Sequence, residues 1–173
     1  IFVANHVSMI DIMLMVSSIR SHPLVFIGKK ELEKIPFFGY IYKKTMILVD
    51  RSSNESKKNV FLQTEKKLKE GISIAIFPEG TVPSLDVTLG PFKHGAFSIA
   101  IDHKTPIVPM TFLDNKKRFP WSYGGLLAGS KGSPGQLRVK IHDPIITKNM
   151  TKKDVNALCN KVRDIILLDL ETS

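Results

Sequence analysis

Short runs of apolar and β-branched residues recur along the chain, separated by longer polar or amphipathic stretches. Runs of this length favour strands, and their alternation with helical stretches predicts α/β layering. The predicted strands are Ile1 to Ala4, Leu24 to Ile27, Met46 to Val49, Ile72 to Ile76, Ile107 to Thr111 and Leu137 to Ile141.

Two stretches have the apolar spacing of amphipathic helices. The first runs from about Asn54 to Lys69, and Gly71 follows its end. The second runs from about Lys152 to Leu168 and begins with Thr151 and Asp154 at the spacing of a capping box. The apolar faces comprise Val60, Phe61, Thr64 and Leu68 in the first helix, and Val155, Leu158, Val162 and Ile165 in the second, where Cys159 is interpreted as a small core residue.

Two further stretches differ from these amphipathic patterns. From Met9 to Ile19 the chain is apolar on nearly every side except at Asp11, which predicts a helix that is buried or faces lipid. From Asn115 to Gly135 it is rich in Gly, Lys and Pro, which predicts a long surface loop.

Composition fits a single globular domain over residues 1–173, since 43% of the residues are hydrophobic and 24% are charged. No run approaches the roughly 18 apolar residues that span a bilayer, so we expect any membrane contact to be peripheral. The chain begins in the strand-like Ile1 without an initiator methionine, and we expect that an N-terminal part of the full protein precedes it.

The net charge of +9 favours a polyanionic partner, such as anionic lipid, an acidic carrier protein or a nucleotide. A nucleic-acid partner is not expected, because the chain has neither an aromatic-glycine RNA-binding signature nor Cys and His pairs at zinc-finger spacing. Charge alone does not choose among the other partners.

A histidine at the end of the first predicted strand is followed five residues later by an aspartate, in Asn5-His6-Val7-Ser8-Met9-Ile10-Asp11. A carboxylate on one imidazole nitrogen fixes the tautomer and leaves the other nitrogen free as a general base. Ser8 and Asp11 also have capping-box spacing, and a histidine at a strand end often bonds only to backbone. The segment alone leaves the catalytic and the structural interpretation equally open.

A second candidate segment, Phe77-Pro78-Glu79-Gly80-Thr81, follows the predicted strand Ile72 to Ile76, where α/β sheets usually bind ligands. Glu79 and Thr81 offer a carboxylate and a hydroxyl group to a hydroxyl-bearing substrate, while Gly80 allows close approach of the backbone. A plain Pro-Glu-Gly turn is the alternative.

These two segments in this order resemble the glycerolipid acyltransferase family, and within it most closely the 1-acylglycerol-3-phosphate acyltransferases. Two further blocks agree in order: Gly28 to Leu32 through Ile35 to Gly39 and on to Asp50 and Arg51, and Ile107 to Met110. The resemblance covers about Ile1 to Ile146 and implies a mixed, largely parallel sheet flanked by helices. It also implies acyl transfer from a thioester to the sn-2 hydroxyl group of 1-acylglycerol-3-phosphate, giving phosphatidate.

The resemblance assigns roles to individual residues. His6 is the implied base and Asp11 its partner, with backbone N–H groups near the start of the Met9 helix as candidate oxyanion donors. The implied substrate-binding residues are Asn5, Arg51, Glu79, Gly80, Thr81 and Lys93, of which Arg51 and Lys93 would hold the acceptor phosphate. Val82 stands where phosphate-using members commonly have Arg, which puts the acceptor head group in doubt.

The partners expected are a lysophospholipid acceptor, acyl-CoA or acyl-carrier protein as donor, and a membrane surface on its cytoplasmic face. No metal and no cofactor besides the donor thioester is expected. Exposed Phe37, Phe38 and Tyr40 would assist docking, unless this segment belongs to the core. The alternatives are acylation of another lysolipid such as an amino-acid lysolipid, thioester hydrolysis, and a non-catalytic lipid-binding module.

Overall fold

The computed structural model describes residues 1–8, 10–34, 36, 38–50, 52–84, 86–120 and 132–173. The strands are β1 (Phe2–Ala4), β2 (Leu24–Lys29), β3 (Met46–Val49), β4 (Ser73–Ile76), β5 (Val108–Phe112) and β6 (Val139–Ile141). The helices are α1 (Ile10–Ser18), α2 (Phe38–Thr45), α3 (Asn54–Lys69), α4 (Gly95–Asp102), α5 (Asn115–Arg118) and α6 (Val155–Thr172). All six predicted strands are confirmed, with ends that differ by at most two residues.

The strands form one six-stranded sheet in the order β3-β2-β4-β1-β5-β6. Strands β1 to β5 run parallel, and β6 pairs antiparallel with β5. The predicted fold class, a mixed and largely parallel sheet flanked by helices, is confirmed. Because β1 lies between β4 and β5, the segments that follow these three strands meet at one edge of the sheet, where open α/β sheets bind ligands.

Helices cover the two faces of the sheet unequally. Successive residues of a strand point to opposite faces, so Val3 and Ile74 pack in a core with α3, α4 and α6. Ala4 and Ala75 point the other way and join a smaller cluster with Met15 of α1. The larger core therefore lies on the side of α3, α4 and α6.

Helix α3 has the bounds expected from the sequence. The Ser53 side chain accepts a hydrogen bond from the Ser56 N–H and caps the start of the helix. Gly71, with φ of 75°, follows the end of the helix, where a left-handed conformation favours glycine. The buried face includes Val60 and Thr64, so the predicted amphipathic helix is confirmed.

The C-terminal helix begins with a 3₁₀ turn, Lys152–Asp154, and continues as α6. Both halves of the predicted capping box between Thr151 and Asp154 are present, and Cys159 is buried as expected. One predicted core residue is wrong: Ile166 is fully buried, whereas Ile165 is half-buried. The helix periodicity of 3.6 residues brings position 166 rather than 165 under the stripe of Val155, Leu158 and Val162.

Helix α1 confirms the apolar helix predicted from the sequence, although Met9 itself lies outside the described residues. Its inner side is buried at Asp11 and Met15, while Met13 is 67% exposed and Val16 is 49% exposed. The helix is therefore buried on one side only. Across the described ranges, no helix combines the length and the apolar character needed to cross a membrane.

The stretch predicted as a long surface loop from Asn115 to Gly135 is partly wrong. It begins with the single turn α5, and Asn115 is fully buried. The sequence pattern is misleading here because three cations, Lys116, Lys117 and Arg118, follow Asn115 and make the segment look fully exposed, although Asn115 points inward. Residues 121–131 lie outside the described residues.

Candidate active site

His6 and Asp11 form a hydrogen-bonded pair at the end of β1. His6 Nδ1 lies 2.8 Å from Asp11 Oδ2, and the Asp11 side chain is completely buried while 19% of the His6 side chain is exposed. A carboxylate accepts hydrogen bonds only, so it selects the tautomer that carries the proton on Nδ1. Nε2 is then an acceptor, which is the state that a general base requires.

The same carboxylate also orders the loop between β1 and α1. Asp11 Oδ2 accepts hydrogen bonds from the backbone N–H groups of Val7 at 2.7 Å and Ser8 at 2.8 Å. The Ser8 hydroxyl accepts a hydrogen bond from the Ile10 N–H at 3.3 Å. The hydrogen bonds of the capping interpretation and the His6–Asp11 contact of the catalytic interpretation are thus both present, since one oxygen binds the start of the helix and the imidazole. The catalytic role itself stays a prediction.

Glu79 connects the other candidate segment to the histidine loop. It follows β4, is only 4% exposed, and accepts a hydrogen bond from the His6 backbone N–H on Oε1 at 2.7 Å. Its Oε2 accepts one from the Gly90 N–H, also at 2.7 Å. Burial raises the pKa of Glu79, and these two backbone donors oppose that rise.

Gly90 is a site residue that sequence reasoning misses. A Cβ atom at this position would lie 2.8 Å from Glu79 Oε2, closer than side chains pack. In the sequence Gly90 is only a glycine in a loop. The need for glycine arises from the Glu79 carboxylate, which lies eleven residues away along the chain. Glu79 with Gly90 forms a brace that fixes the backbone of His6.

Phe77 connects the His6–Asp11 pair to an apolar cavity. Its ring stacks on the His6 imidazole, with centroids 4.2 Å apart and an interplanar angle of 15°. It also lines a cavity of about 520 Å³ between the sheet and helices α3 and α4. The other residues on the cavity wall are Ile27, Val49, Val60, Phe61, Ile76, Pro78, Gly80, Lys93, Gly95, Ala96, Ser98, Ile99 and Asp102.

Of the two cations predicted to bind the acceptor phosphate, Lys93 lies among the described residues and Arg51 does not. Lys93 is exposed on the cavity wall, and its backbone N–H donates to the Pro78 carbonyl at 2.8 Å, which holds it beside the Glu79 turn. Arg51 lies outside the described residues. Val82 is half-buried and offers no side-chain donor.

The sequence of the chain matches that of a known protein family. A sequence model of the acyltransferase family matches residues 1–113, which include His6, Asp11, Glu79 and Lys93. The chain belongs to the acyltransferase family.

Named relatives align with almost the whole chain. It is 34% identical over 167 residues to a chloroplastic 1-acyl-sn-glycerol-3-phosphate acyltransferase of Brassica napus, covering 96% of this chain and 45% of that protein. It is 34% identical over 170 residues to the 1-acyl-sn-glycerol-3-phosphate acyltransferase of Escherichia coli strain K12, covering 96% of this chain and 64% of that protein. The chain spans about half the length of the curated relatives it matches.

A solved structure supports the same family. The crystal structure of the 1-acyl-sn-glycerophosphate acyltransferase from Thermotoga maritima matches with a TM-score of 0.75 and 26% identity. The match covers 99% of this chain and 64% of that chain. The acyltransferase-like fold predicted from the sequence is therefore confirmed.

Asn5 has a structural position. Its side chain is completely buried, Nδ2 donates to the Phe112 carbonyl at 3.1 Å, and Oδ1 accepts from the Phe112 N–H at 2.8 Å. Both polar atoms therefore extend the pairing of β1 with β5. The sequence-based expectation of a direct substrate contact does not match this geometry, because the amide is enclosed and its hydrogen bonds are made.

Gly80 and Thr81 complete the turn after β4. Gly80 has φ of 73°, a left-handed conformation that favours glycine, and its N–H donates to the Phe77 carbonyl at 3.0 Å. Thr81 is exposed, and its hydroxyl lies 3.4 Å from the Val82 carbonyl. The turn thus presents Thr81 to solvent and Gly80 to the cavity, so contact of either with a substrate stays a prediction.

The oxyanion donors expected near the start of α1 are occupied. The N–H groups of Val7 and Ser8 bond to Asp11, and those of Ile10 and Asp11 bond to Ser8. The His6 N–H bonds to Glu79. Three of these five N–H groups therefore bond to buried carboxylates and two bond to Ser8, so a role for any of them as an oxyanion donor stays a prediction.

Another residue absent from the sequence-based site reaches Asp11 from α5. Asn115 is completely buried, and its Nδ2 donates to Asp11 Oδ1 at 2.6 Å. In the sequence, only its position could have pointed to Asn115. It follows β5 just as His6 follows β1 and Glu79 follows β4. Adjacent parallel strands bring these three segments together.

Proposed function

We propose that this protein transfers a fatty acyl group from an acyl thioester to the sn-2 hydroxyl group of 1-acylglycerol-3-phosphate, giving phosphatidate. The observation that carries the proposal is the His6–Asp11 pair, with Nδ1 occupied and the imidazole partly exposed beside an apolar cavity. Membership of the acyltransferase family and the names of the relatives support the substrate class.

The proposed reaction is a direct transfer. His6 Nε2 accepts the proton of the acceptor hydroxyl group as its oxygen attacks the thioester carbonyl carbon. The tetrahedral intermediate collapses as the C–S bond breaks, and the imidazolium returns the proton to the departing thiolate. Asp11 stabilises the imidazolium and holds the ring in place throughout. A Gly-x-Ser-x-Gly motif, which would host a covalent acyl intermediate, is absent from the sequence.

The decisive assay supplies a labelled acyl thioester with a panel of lysolipids and separates the lipid products. Labelled phosphatidate that forms only when lysophosphatidate is present supports the transfer. Release of free fatty acid at the same rate with and without any lysolipid would instead assign thioester hydrolysis. Running the assay with acyl-CoA and with acyl-carrier protein in parallel identifies the donor. Both are polyanions, so the net charge of +9 suits either one.

The apolar cavity is the proposed site of a fatty acyl chain. Its wall is made largely of aliphatic and aromatic side chains, its volume of about 520 Å³ falls in the range of lipid-sized ligands, and Phe77 places one end against His6. An acyl chain lying there would bring its thioester carbonyl group to the imidazole. This site would select donors by length.

A substitution in the cavity wall tests this selection. Ile99→Trp narrows the cavity, and we expect kcat/KM for the longest donors to fall by about 10-fold or more, since each excluded methylene group forfeits about 0.8 kcal/mol of burial. Short donors should be used nearly as well as by wild type. Ile99→Val is the matched control. An equal loss for all chain lengths would argue against an acyl chain in this cavity.

The acceptor phosphate is proposed to bind Lys93 together with Arg51. A phosphate monoester needs charge-assisted hydrogen-bond donors. Because position 82 is a valine, Arg51 and Lys93 are the cations at family motif positions that can supply them. Lys93→Ala should raise the KM for lysophosphatidate by about 10-fold or more, because a hydrogen bond to a charged group contributes roughly 1.5 to 3 kcal/mol. A phosphate-free lysolipid should be unaffected.

The control for this experiment is Lys152→Ala, which removes an exposed cation at the start of the C-terminal helix. Equal KM values for wild type and Lys93→Ala would mean that Lys93 does not bind the head group. If wild type prefers an amino-acid lysolipid to lysophosphatidate, the acceptor assignment fails while acyl transfer stands.

Membrane association on the cytoplasmic face is also proposed, with an anionic leaflet as the partner. The net charge of +9 supplies attraction, and Met13 and Val16 offer exposed apolar side chains on the helix that carries Asp11. Tyr40 is 67% exposed, with the Lys44 ammonium group 4.3 Å from its ring centroid, whereas Phe37 lies outside the described residues.

Sedimentation with lipid vesicles tests the docking surface. Binding to anionic vesicles should exceed binding to neutral ones and weaken as salt is added. Met13→Ser should reduce binding, whereas Leu62→Ser, which changes an exposed residue of α3 across the sheet, should not. Equal effects of the two substitutions would argue against docking through α1.

A further inference from the structure

Asp11 is enclosed by hydrogen-bond donors from two separate segments. Oδ2 faces His6 Nδ1 and the N–H groups of Val7 and Ser8, all within its own loop. Oδ1 faces Asn115 Nδ2 at 2.6 Å, and Asn115 lies 104 residues along the chain, just beyond the family-matched residues 1–113. The orientation of this amide is fixed by chemistry, because an amide oxygen would repel the carboxylate.

The turn that carries Asn115 is fastened to the sheet on its other side. The neighbouring Asp114 accepts hydrogen bonds from the Arg138 backbone N–H and guanidinium group at 2.8 to 2.9 Å. These side-chain bonds lower the pKa of Asp114 to about 2. Ser8 further donates from its hydroxyl group to the Phe119 carbonyl at the end of the same turn. Helix α5 therefore holds the histidine loop from outside.

We infer that Asn115 is a positioning residue, which holds Asp11 Oδ1 so that Oδ2 stays aligned with His6 Nδ1 during the proposed acyl transfer. A carboxylate held only through Oδ2 can rotate about its Cβ–Cγ bond. Rotation would turn the imidazole, and general-base catalysis depends on that orientation. Asn115 is enclosed and reaches the substrate only through the Asp11–His6 pair.

The inference rests on the proposed function, and its test has a readout that needs no substrate. The His6 Nδ1 proton, shared with Asp11, should give a downfield proton resonance that His6→Ala removes. Asn115→Ala, which deletes the donor, should broaden or abolish this resonance. Asn115→Leu, which keeps a similar side-chain size and removes the donor, should do the same. Lys117→Ala, an exposed change in the same turn, should leave it unchanged.

The kinetic arm separates positioning from general damage to the fold. Both Asn115 variants should lower kcat by about 10-fold or more at unchanged KM, the effect of losing one hydrogen bond to a buried charge. In an Asp11→Asn background, Asn115→Ala should cost far less, because its target is already altered.

Several outcomes would overturn the inference. An unchanged resonance in a folded Asn115 variant would do so, and so would an Asn115→Ala effect on kcat that is the same in both backgrounds. A wild-type protein that shows the resonance but does not acylate lysophosphatidate would count against the proposed function and leave the positioning role standing.

Discussion

His6→Ala is expected to lower kcat for acyl transfer by about 10²- to 10⁴-fold, the usual contribution of a general base. Alanine removes Nε2 and with it the acceptor for the hydroxyl proton. The fold should persist, because Glu79 binds the backbone N–H of residue 6 rather than its side chain. Product formation from a labelled thioester measures the loss, and circular dichroism checks the fold. A folded His6→Ala protein with wild-type turnover would remove the proposed mechanism.

Asp11→Asn belongs to the same experiment but has two expected effects. The amide no longer stabilises the imidazolium, so kcat should fall by a factor approaching that of His6→Ala. Asp11 Oδ2 also accepts from the Val7 and Ser8 N–H groups, which an amide oxygen can still do. Asparagine caps helices about as well as aspartate, so the start of α1 should persist. A wild-type kcat in the Asp11→Asn variant would mean that Asp11 only caps helix α1 and takes no part in catalysis.

Glu79→Gln is expected to lower both the stability of the fold and kcat. Both carboxylate oxygens accept backbone N–H groups, and an amide can accept on one side only. The NH₂ group would therefore meet the N–H of His6 or Gly90, leaving buried donors unsatisfied. We expect a loss of about 1 to 3 kcal/mol in the free energy of unfolding. Displacement of the His6 loop should also lower kcat by about 10²-fold.

Two measurements separate this brace from the substrate contact expected on sequence grounds. A substrate contact would chiefly raise KM for the acceptor, whereas a brace lowers kcat and stability together. Denaturant unfolding of wild type, Glu79→Gln and Glu70→Gln gives the stability comparison, because Glu70 is an exposed glutamate whose carboxylate pairs with Lys67 on the surface. If Glu79→Gln raises KM alone, the brace is wrong and the direct contact is right.

The sequence predicts the elements well because the signals for them are local. An apolar run such as Met46 to Val49 has the length of a buried strand, and Ser53 with Gly71 brackets α3. The His6–Asp11 pair is also local, since the short loop between β1 and α1 brings the two residues together. Each of these features depends on neighbours within about a dozen residues.

The remainder of the site depends on contacts between distant segments. Asn115 lies 104 residues from Asp11, and its role appears only when β5 pairs with β1. Gly90 is needed because Glu79 Oε2 occupies the space of a side chain. The family resemblance assigns Glu79 and Asn5 to the substrate, whereas in the structure their polar side-chain atoms bond to backbone groups. Spacing along the chain carries no trace of these partners.

The central place of β1 has a consequence for the order of assembly. Residues 2–4 pair with residues 75 and 76 on one side and residues 108–110 on the other, so they acquire both neighbours late in synthesis. Contacts across such distances fold slowly, because loop closure precedes the stabilising contacts. On the ribosome, His6 would remain without its Glu79 and Asp11 without its Asn115 until the chain has extended past α5. The site should therefore form in one late step, and a series of truncated chains would show the His6–Asp11 pair ordered only when the chain also includes α6, which completes the larger core.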